Sequence, residues 1–203
     1  MREQASLPPV PHSRFPITRP ATPMRKLTVE EMHRLDVEAF RQAEKVPLTV
    51  VLDNVRSMHN VGSVLRTADA FRLERVVLCG ITPCPPHPDI HKTALGAEDS
   101  VAWTHEASTL EAVRSLVREG VTVLAAEQVS GSTPLQAWRA VPGARYALVM
   151  GHEVRGVAQD VVDACHGALE IPQIGTKHSL NVSVSAGILL WEMFRQLRFG
   201  PRP

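Results

Sequence analysis

Between residues 48 and 198, short apolar runs rich in Val, Ile and Leu alternate with segments of helical period, and this alternation is the strongest constraint on the fold. The runs "LTVVLDNV" (48–55), "RVVLCG" (75–80), "VTVLAAE" (121–127) and "ARYALVMG" (144–151) read as buried strands, and "ALEIP" (168–172) as a short one. Between them, "VGSVLRTADAF" (61–71), "TLEAVRSLVREG" (109–120, stopped by Gly120), "VAQDVVDAC" (157–165) and the stretch after Ser179 read as helices. "ITPCPPHPDIHK" (81–92) reads as a proline-rich loop. Strands alternating with helices predict an α/β domain with a mostly parallel sheet covered on both faces. In such sheets ligands bind beyond the carboxyl ends of the strands.

The first 26 residues differ from the rest. Pro8, Pro9, Pro11, Pro16, Pro20 and Pro23 remove backbone donors and fix φ, so an extended arm is expected over 1–26. Arg2, Arg14, Arg19, Arg25 and Lys26 face one acid, Glu3, making the arm net +4 and the remainder −3, although the whole chain is only +1. Such an arm either steers a polyanion or serves as a solubilising tail. A single N-terminal helix is expected over 27–46, opened by a capping box between Thr28 and Glu31 and striped by Met32, Leu35, Ala39 and Phe40. The main domain is expected over 47–203. Cys79, Cys84 and Cys165 form no even disulfide framework, and neither a signal peptide nor a membrane-length apolar run is present, so a reducing cytoplasm is the expected setting.

Several chemistries fail on spacing. Gly151 and Gly156 have the separation of a phosphate-binding P-loop, but Val157 and Ala158 stand where Lys and Ser/Thr are needed. No G-x-G-x-x-G follows the first strand, which removes the main support for a dinucleotide-dependent dehydrogenase. Cys79, Cys84, His87 and His91 share one segment, but their spacing is tighter than zinc-finger ligands require, and no metal is expected. There is no G-x-S-x-G elbow.

Three polar clusters remain, each at a strand–helix junction. The first is "HNVGSVLRTADAF", with Asn60 placed to cap a helix and Arg66 nearly two turns further in. The second is "VMGHEVRGV", where Glu153 follows Gly151 in a turn closed by Gly156. The third is "IPQIGTKHSLNVSVSAG", where Ser179 or Asn181 can cap the last helix. In order they read N-x-x-x-x-x-R-T-A-D, M-G-x-E-x-x-G-V and I-P-x-x-G-x-x-x-S-L-N-V-S-V. Together they resemble the three signature motifs of the SpoU/TrmH group of SPOUT RNA 2′-O-methyltransferases, over about residues 48–198.

That resemblance, and not periodicity or composition, implies a C-terminal trefoil knot within about 146–198, S-adenosylmethionine as cofactor, tRNA or ribosomal RNA as substrate, and a homodimer with no membrane association. It implies cofactor contacts at Ala126, Gly151, Ile171 and Leu180, and a catalytic set of Asn60, Arg66, Glu153, Ser179 and Asn181. Two readings of Arg66 fit: the general base of the family proposal, or a bidentate clamp on a substrate phosphate, since arginine is a poor base in water. Lys92, Arg155 and Lys177, with Arg66, are the expected RNA contacts, or else solvated surface charge. The apolar face of the last helix, Val182, Ala186, Leu189, Leu190 and Met193, suits either the core or a subunit interface. A catalytically silent RNA-binding protein on the same fold is the alternative function.

Deleting residues 1–26 is expected to weaken RNA binding and to flatten the fall of log K with log salt, because counterion release scales with phosphate contacts. An unchanged slope in filter-binding or anisotropy titrations identifies the arm as a tail.

Overall fold

The computed structural model describes residues 24–200, so the expected arm lies almost entirely outside the described residues. The chain divides into two units at Arg34/Leu35. In the smaller, the capping-box bonds form: Thr28 N–H donates to Glu31 Oε2 at 2.9 Å, and Glu31 N–H donates to Thr28 Oγ1 at 3.4 Å. They close only a 3-10 turn, Glu30–Met32, which ends where His33 takes a left-handed φ of 47°.

The continuous helix expected over 27–46 is therefore not present. A separate helix α1 (Val37–Gln42) starts instead at Asp36, whose Oδ1 accepts from Ala39 N–H at 2.8 Å. No buried stripe joins the two starts at Thr28 and Asp36: of the expected stripe Met32 and Leu35 stay exposed and only Phe40 is buried.

The larger unit continues with β1 (Val46–Asp53), α2 (Met58–Ala70), β2 (Leu73–Cys79), α3 (Pro88–Ala94), α4 (Ala97–Ser100), β3 (Trp103–Glu106) and α5 (Thr109–Arg118). Then follow β4 (Thr122–Ala126), β5 (Thr133–Pro134), β6 (Tyr146–Met150), α6 (Gln159–Ala164), β7 (Gly167–Glu170) and α7 (Val182–Phe199). All strand pairs are parallel, in the order β3-β2-β1-β6-β4-β7-β5. The expected mostly parallel α/β architecture is what the chain adopts. β6 is inserted between β1 and β4, so the sheet's centre is built from strands far apart in sequence.

The apolar strands need both faces covered, and both are. Val50, Leu52, Leu148 and Met150 pack with α2 and α7, while Val51, Val149, Val123 and Ala147 pack with α5 and α6. Asn60 does not cap α2. The cap is Ser57, whose Oγ accepts from Asn60 N–H at 3.3 Å, which moves Asn60 one turn inward and buries it. The proline-rich segment expected as loop contains α3, which uses Pro88 at its first turn and His87 as its cap. Cys79 is buried in β2, and among the described residues no group of three or more His, Cys, Asp or Glu is placed to hold a metal. Among the described residues no helix is long and apolar enough to cross a membrane.

Two contacts set the positions of the helices that carry the polar clusters. At Gly62 of α2, α3 approaches so closely that a Cβ would lie 2.2 Å from Thr93 Oγ1 and 2.3 Å from Ile90 O. In α7, buried Gln196 accepts from Ala140 N–H at 2.9 Å and donates to Trp138 O at 3.0 Å, fastening the helix to the segment before β6. Gly62→Ala is expected to destabilise the protein by about 1–3 kcal/mol, because the backbone carbonyl of Ile90 cannot rotate away as a side chain can. Urea unfolding measures it; a change below about 0.5 kcal/mol, the usual range for surface positions, contradicts the close packing.

Candidate active site

The carboxyl ends of β4, β6 and β7 open into a cavity of about 500 Å³. Ala126 ends β4, Gly151 follows β6 and Ile171 follows β7, and each lines it. Leu180 and Ser179, just ahead of α7, line it too, as do Glu153 and Arg155. Cavities of this size accept a small organic ligand. Apolar side chains such as Met150, Leu169 and Val182 share the wall with the carboxylates of Glu127, Glu153 and Glu170. That mixture suits a ligand carrying an apolar ring system and positive charge. The four residues expected at the cofactor thus lie on one cavity, and its chemistry fits a cationic sulfonium nucleoside.

Two glycines shape the wall. A Cβ on Gly151 would lie 2.1 Å from Gly156 C and 2.2 Å from Val157 N. Gly156 has a φ of +68°, and a Cβ there would lie 2.0 Å from Glu127 Oε2. Glycine is required at both places, by crowding at one and by crowding and backbone angle at the other.

Between these glycines Glu153 reaches across to the start of α2. Its Oε2 accepts from Arg56 N–H at 3.0 Å, and its Oε1 accepts from Ser57 N–H at 2.9 Å and Asn60 Nδ2 at 3.1 Å. Asn60 Oδ1 in turn accepts from Asn181 Nδ2 at 3.2 Å. Asn181 is the cap of α7, its Oδ1 accepting from Ser183 N–H at 2.9 Å and Val184 N–H at 3.4 Å. One polar chain therefore joins the turn after β6 to the starts of α2 and α7. Burial pushes the Glu153 carboxyl up, but the N–H groups of Arg56 and Ser57, with the Asn60 amide, outweigh it and hold the pKa at about 2. The positive end of α2 favours the same charge.

The structure does not bring every expected residue to this point. Arg66 is exposed on α2 and lines a separate groove with Ser63, Thr67, Phe71, Lys92 and Thr93. It makes no hydrogen bond or ion pair among the described residues. Lys92 is in that groove and is already paired with Asp89 at 2.6 Å. Lys177 is exposed on the loop before α7 and does not line the cavity. Sequence reasoning missed three groups. Asp53, buried at the end of β1, accepts from Thr109 Oγ1, Asn54 Nδ2 and Ala158 N–H. Glu127 accepts from Val157 N–H and Gln128 N–H. His152 accepts from Val154 N–H and Arg155 N–H. A buried acid closing a strand was the available signal for Asp53; nothing in spacing marks the other two.

A parallel α/β sheet with a ligand-sized cavity at its carboxyl edge, walled by glycine turns and an asparagine-capped helix, defines a class of small-ligand-binding α/β enzymes. Residues 47–191 match the model of the SpoU rRNA Methylase family, and the chain belongs to that family. It is 28% identical over 172 residues to the 23S rRNA (guanosine-2′-O-)-methyltransferase RlmB of Vibrio parahaemolyticus, covering 85% of this chain and 68% of that one. The AdoMet-bound rRNA methyltransferase of Sinorhizobium meliloti superposes with a TM-score of 0.70 and 28% identity, over 78% of this chain and 60% of that one. The A. aeolicus TrmH/SpoU tRNA modifying enzyme superposes at 0.68 with 25% identity, over 79% of each chain. This chain spans about two thirds or less of the length of several such relatives.

A lowered Glu153 pKa stabilises the fold when the group is ionised. The contribution is full above its ordinary value of 4.5 and fades as pH falls toward about 2. Wild-type protein is therefore expected to lose more unfolding free energy than Glu153→Gln between pH 5 and pH 3, with Glu153→Gln less stable by about 1–3 kcal/mol at pH 7. Urea midpoints at the three pH values check this; parallel acid profiles contradict it.

Proposed function

We propose that this protein transfers a methyl group from S-adenosylmethionine to a ribose 2′-hydroxyl of a cytoplasmic tRNA or ribosomal RNA. The observation that carries the reading is the hydrogen-bonded chain Glu153–Asn60–Asn181, which joins one residue from each of the three motifs and meets the cavity at Glu153. The cofactor, held by Ala126, Gly151, Ile171 and Leu180, supplies an electrophilic methyl group. The protein's task is to align the incoming oxygen with it and to handle the hydroxyl proton.

Glu153 holds Asn60 and the start of α2 in register, Asn181 caps α7, and Ser179 lines the cavity just ahead of it. Arg66 has its guanidinium donors free of protein partners among the described residues, which supports the clamp reading: it takes an RNA phosphate bidentately and sets the ribose. Lys92, Arg155 and Lys177 add charge toward the same backbone. The reading includes the knot over about 146–198. It also includes a homodimer formed through α7: the face of Val182, Ala186, Leu189, Leu190 and Met193 is buried in the chain's own core, which leaves Val184, Ile188 and Trp191, 51, 38 and 49% exposed, to meet a partner.

Incubation with methyl-labelled S-adenosylmethionine and bulk RNA from cells lacking the protein tests the activity. Transfer to 2′-O-methylated nucleosides is expected, and Arg66→Ala should lower it about 10²–10⁴-fold while leaving S-adenosylhomocysteine affinity within a few-fold. Cofactor binding without transfer to any RNA supports the silent RNA-binding alternative instead, and near-normal turnover by Arg66→Ala removes that residue from the reaction.

A further inference from the structure

Glu153 sits in the turn His152–Gly156, and that turn is shaped by the side chain of its own first residue. His152 Nδ1 accepts from Val154 N–H at 3.0 Å and from Arg155 N–H at 3.3 Å. The backbone closes the turn as a two-residue bridge: His152 N–H donates to Gly156 O at 3.0 Å, and Gly156 N–H donates to His152 O at 2.9 Å. Beyond it, Val157 N–H donates to Glu127 Oε2 at 3.0 Å and Ala158 N–H to Asp53 Oδ2 at 3.1 Å. Every backbone N–H from Val154 to Ala158 thus has an acceptor, and four of these five bonds end on a side chain.

Val154 and Arg155 are exposed, so without the imidazole their N–H groups turn to water and the turn loses the bonds that fix its shape. The imidazole is the acceptor that satisfies the two groups directly after Glu153. An imidazole nitrogen that accepts hydrogen bonds carries no proton, so in the neutral ring the proton is on Nε2. Asparagine places its side-chain oxygen at the matching δ position and forms the same kind of turn; alanine has no acceptor to offer.

We infer that His152 is a positioning residue: its Nδ1 lone pair fixes the turn that carries Glu153 to α2 and walls the cavity. It acts through Glu153 and the turn backbone, without itself touching the reacting atoms. The kinetic part of this inference rests on the methyltransferase reading; the structural part does not.

The test uses the full chain with 15N label. Long-range 1H–15N correlation at neutral pH, with the His152 signals assigned by their loss in His152→Asn, is expected to show an unprotonated Nδ1 and a proton on Nε2. Amide exchange at Val154 and Arg155 should be slow in wild type, stay slow in His152→Asn and become fast in His152→Ala. Methyl transfer at saturating RNA and cofactor should fall about 10–100-fold in His152→Ala, the scale of a misplaced catalytic constellation, and recover most of that loss in His152→Asn. A proton on Nδ1, or an asparagine variant no better protected than the alanine one, overturns the inference. Equal transfer rates in all three proteins overturn the positioning role even if the exchange pattern holds. If wild-type protein transfers methyl to no RNA, the function reading fails, and the tautomer and exchange data alone decide whether His152 sets the turn.

Discussion

The site depends on one carboxylate that reaches between segments 93 residues apart. Glu153 accepts two backbone N–H groups at the start of α2 and the amide of Asn60, and Asn60 is bonded to the cap of α7. Each bond to the carboxylate is worth about 1.5–3 kcal/mol, since hydrogen bonds to a charged group exceed neutral ones. Together they do what no local propensity can: they hold a turn and two helix starts in one arrangement. A carboxylate is well suited to the task because helix N-termini leave donors without intrahelical partners.

That arrangement is possible because the sheet beneath it is rigid. β6 lies between β1 and β4, so the turn carrying Glu153 emerges beside the end of β1, which leads into α2. Asp53, the last residue of β1, adds a buried tie to Thr109 at the start of α5 and to Ala158 at the start of α6. Gly62 lets α3 press against α2, which limits how far α2 can shift along the sheet. The same framework leaves the cavity open between the strand ends and the residues before α7.

The interior of the fold was readable from residue types, and its edges were not. β1, β2, β4 and β6 are covered on both faces, so their Val/Leu runs announce them. β3, Trp103–Glu106, is an exposed edge strand of mostly polar residues, and β5 is two residues ending in Pro134; neither has the apolar pattern that identifies a strand. α3 was hidden by the prolines ahead of it, although Pro88 at a first helical turn after His87 is a starting signal. Asn60 looked like a cap because it precedes the apolar stripe, but Ser57 starts the helix a turn earlier and frees Asn60 to face Glu153. The second and third motifs hold residues that line the cavity, among them Gly151, Glu153, Ile171 and Leu180, whereas Asn60, Arg66 and Asn181 do not line it. They did not reveal that Arg66 lies in another groove of its own chain, or that His152, Glu127 and Asp53 bind the turn backbone, because those contacts are set by three-dimensional packing.

Function turns on whether the strand ends and the residues before α7 form one cofactor pocket. A crystal structure of the full chain with S-adenosylhomocysteine tests it most directly. The ligand is expected within about 4 Å of Gly151, Ile171 and Leu180, ordinary contact distance, with Glu153 still bonded to Asn60. A ligand bound elsewhere, or a pocket left empty at saturating ligand, contradicts it.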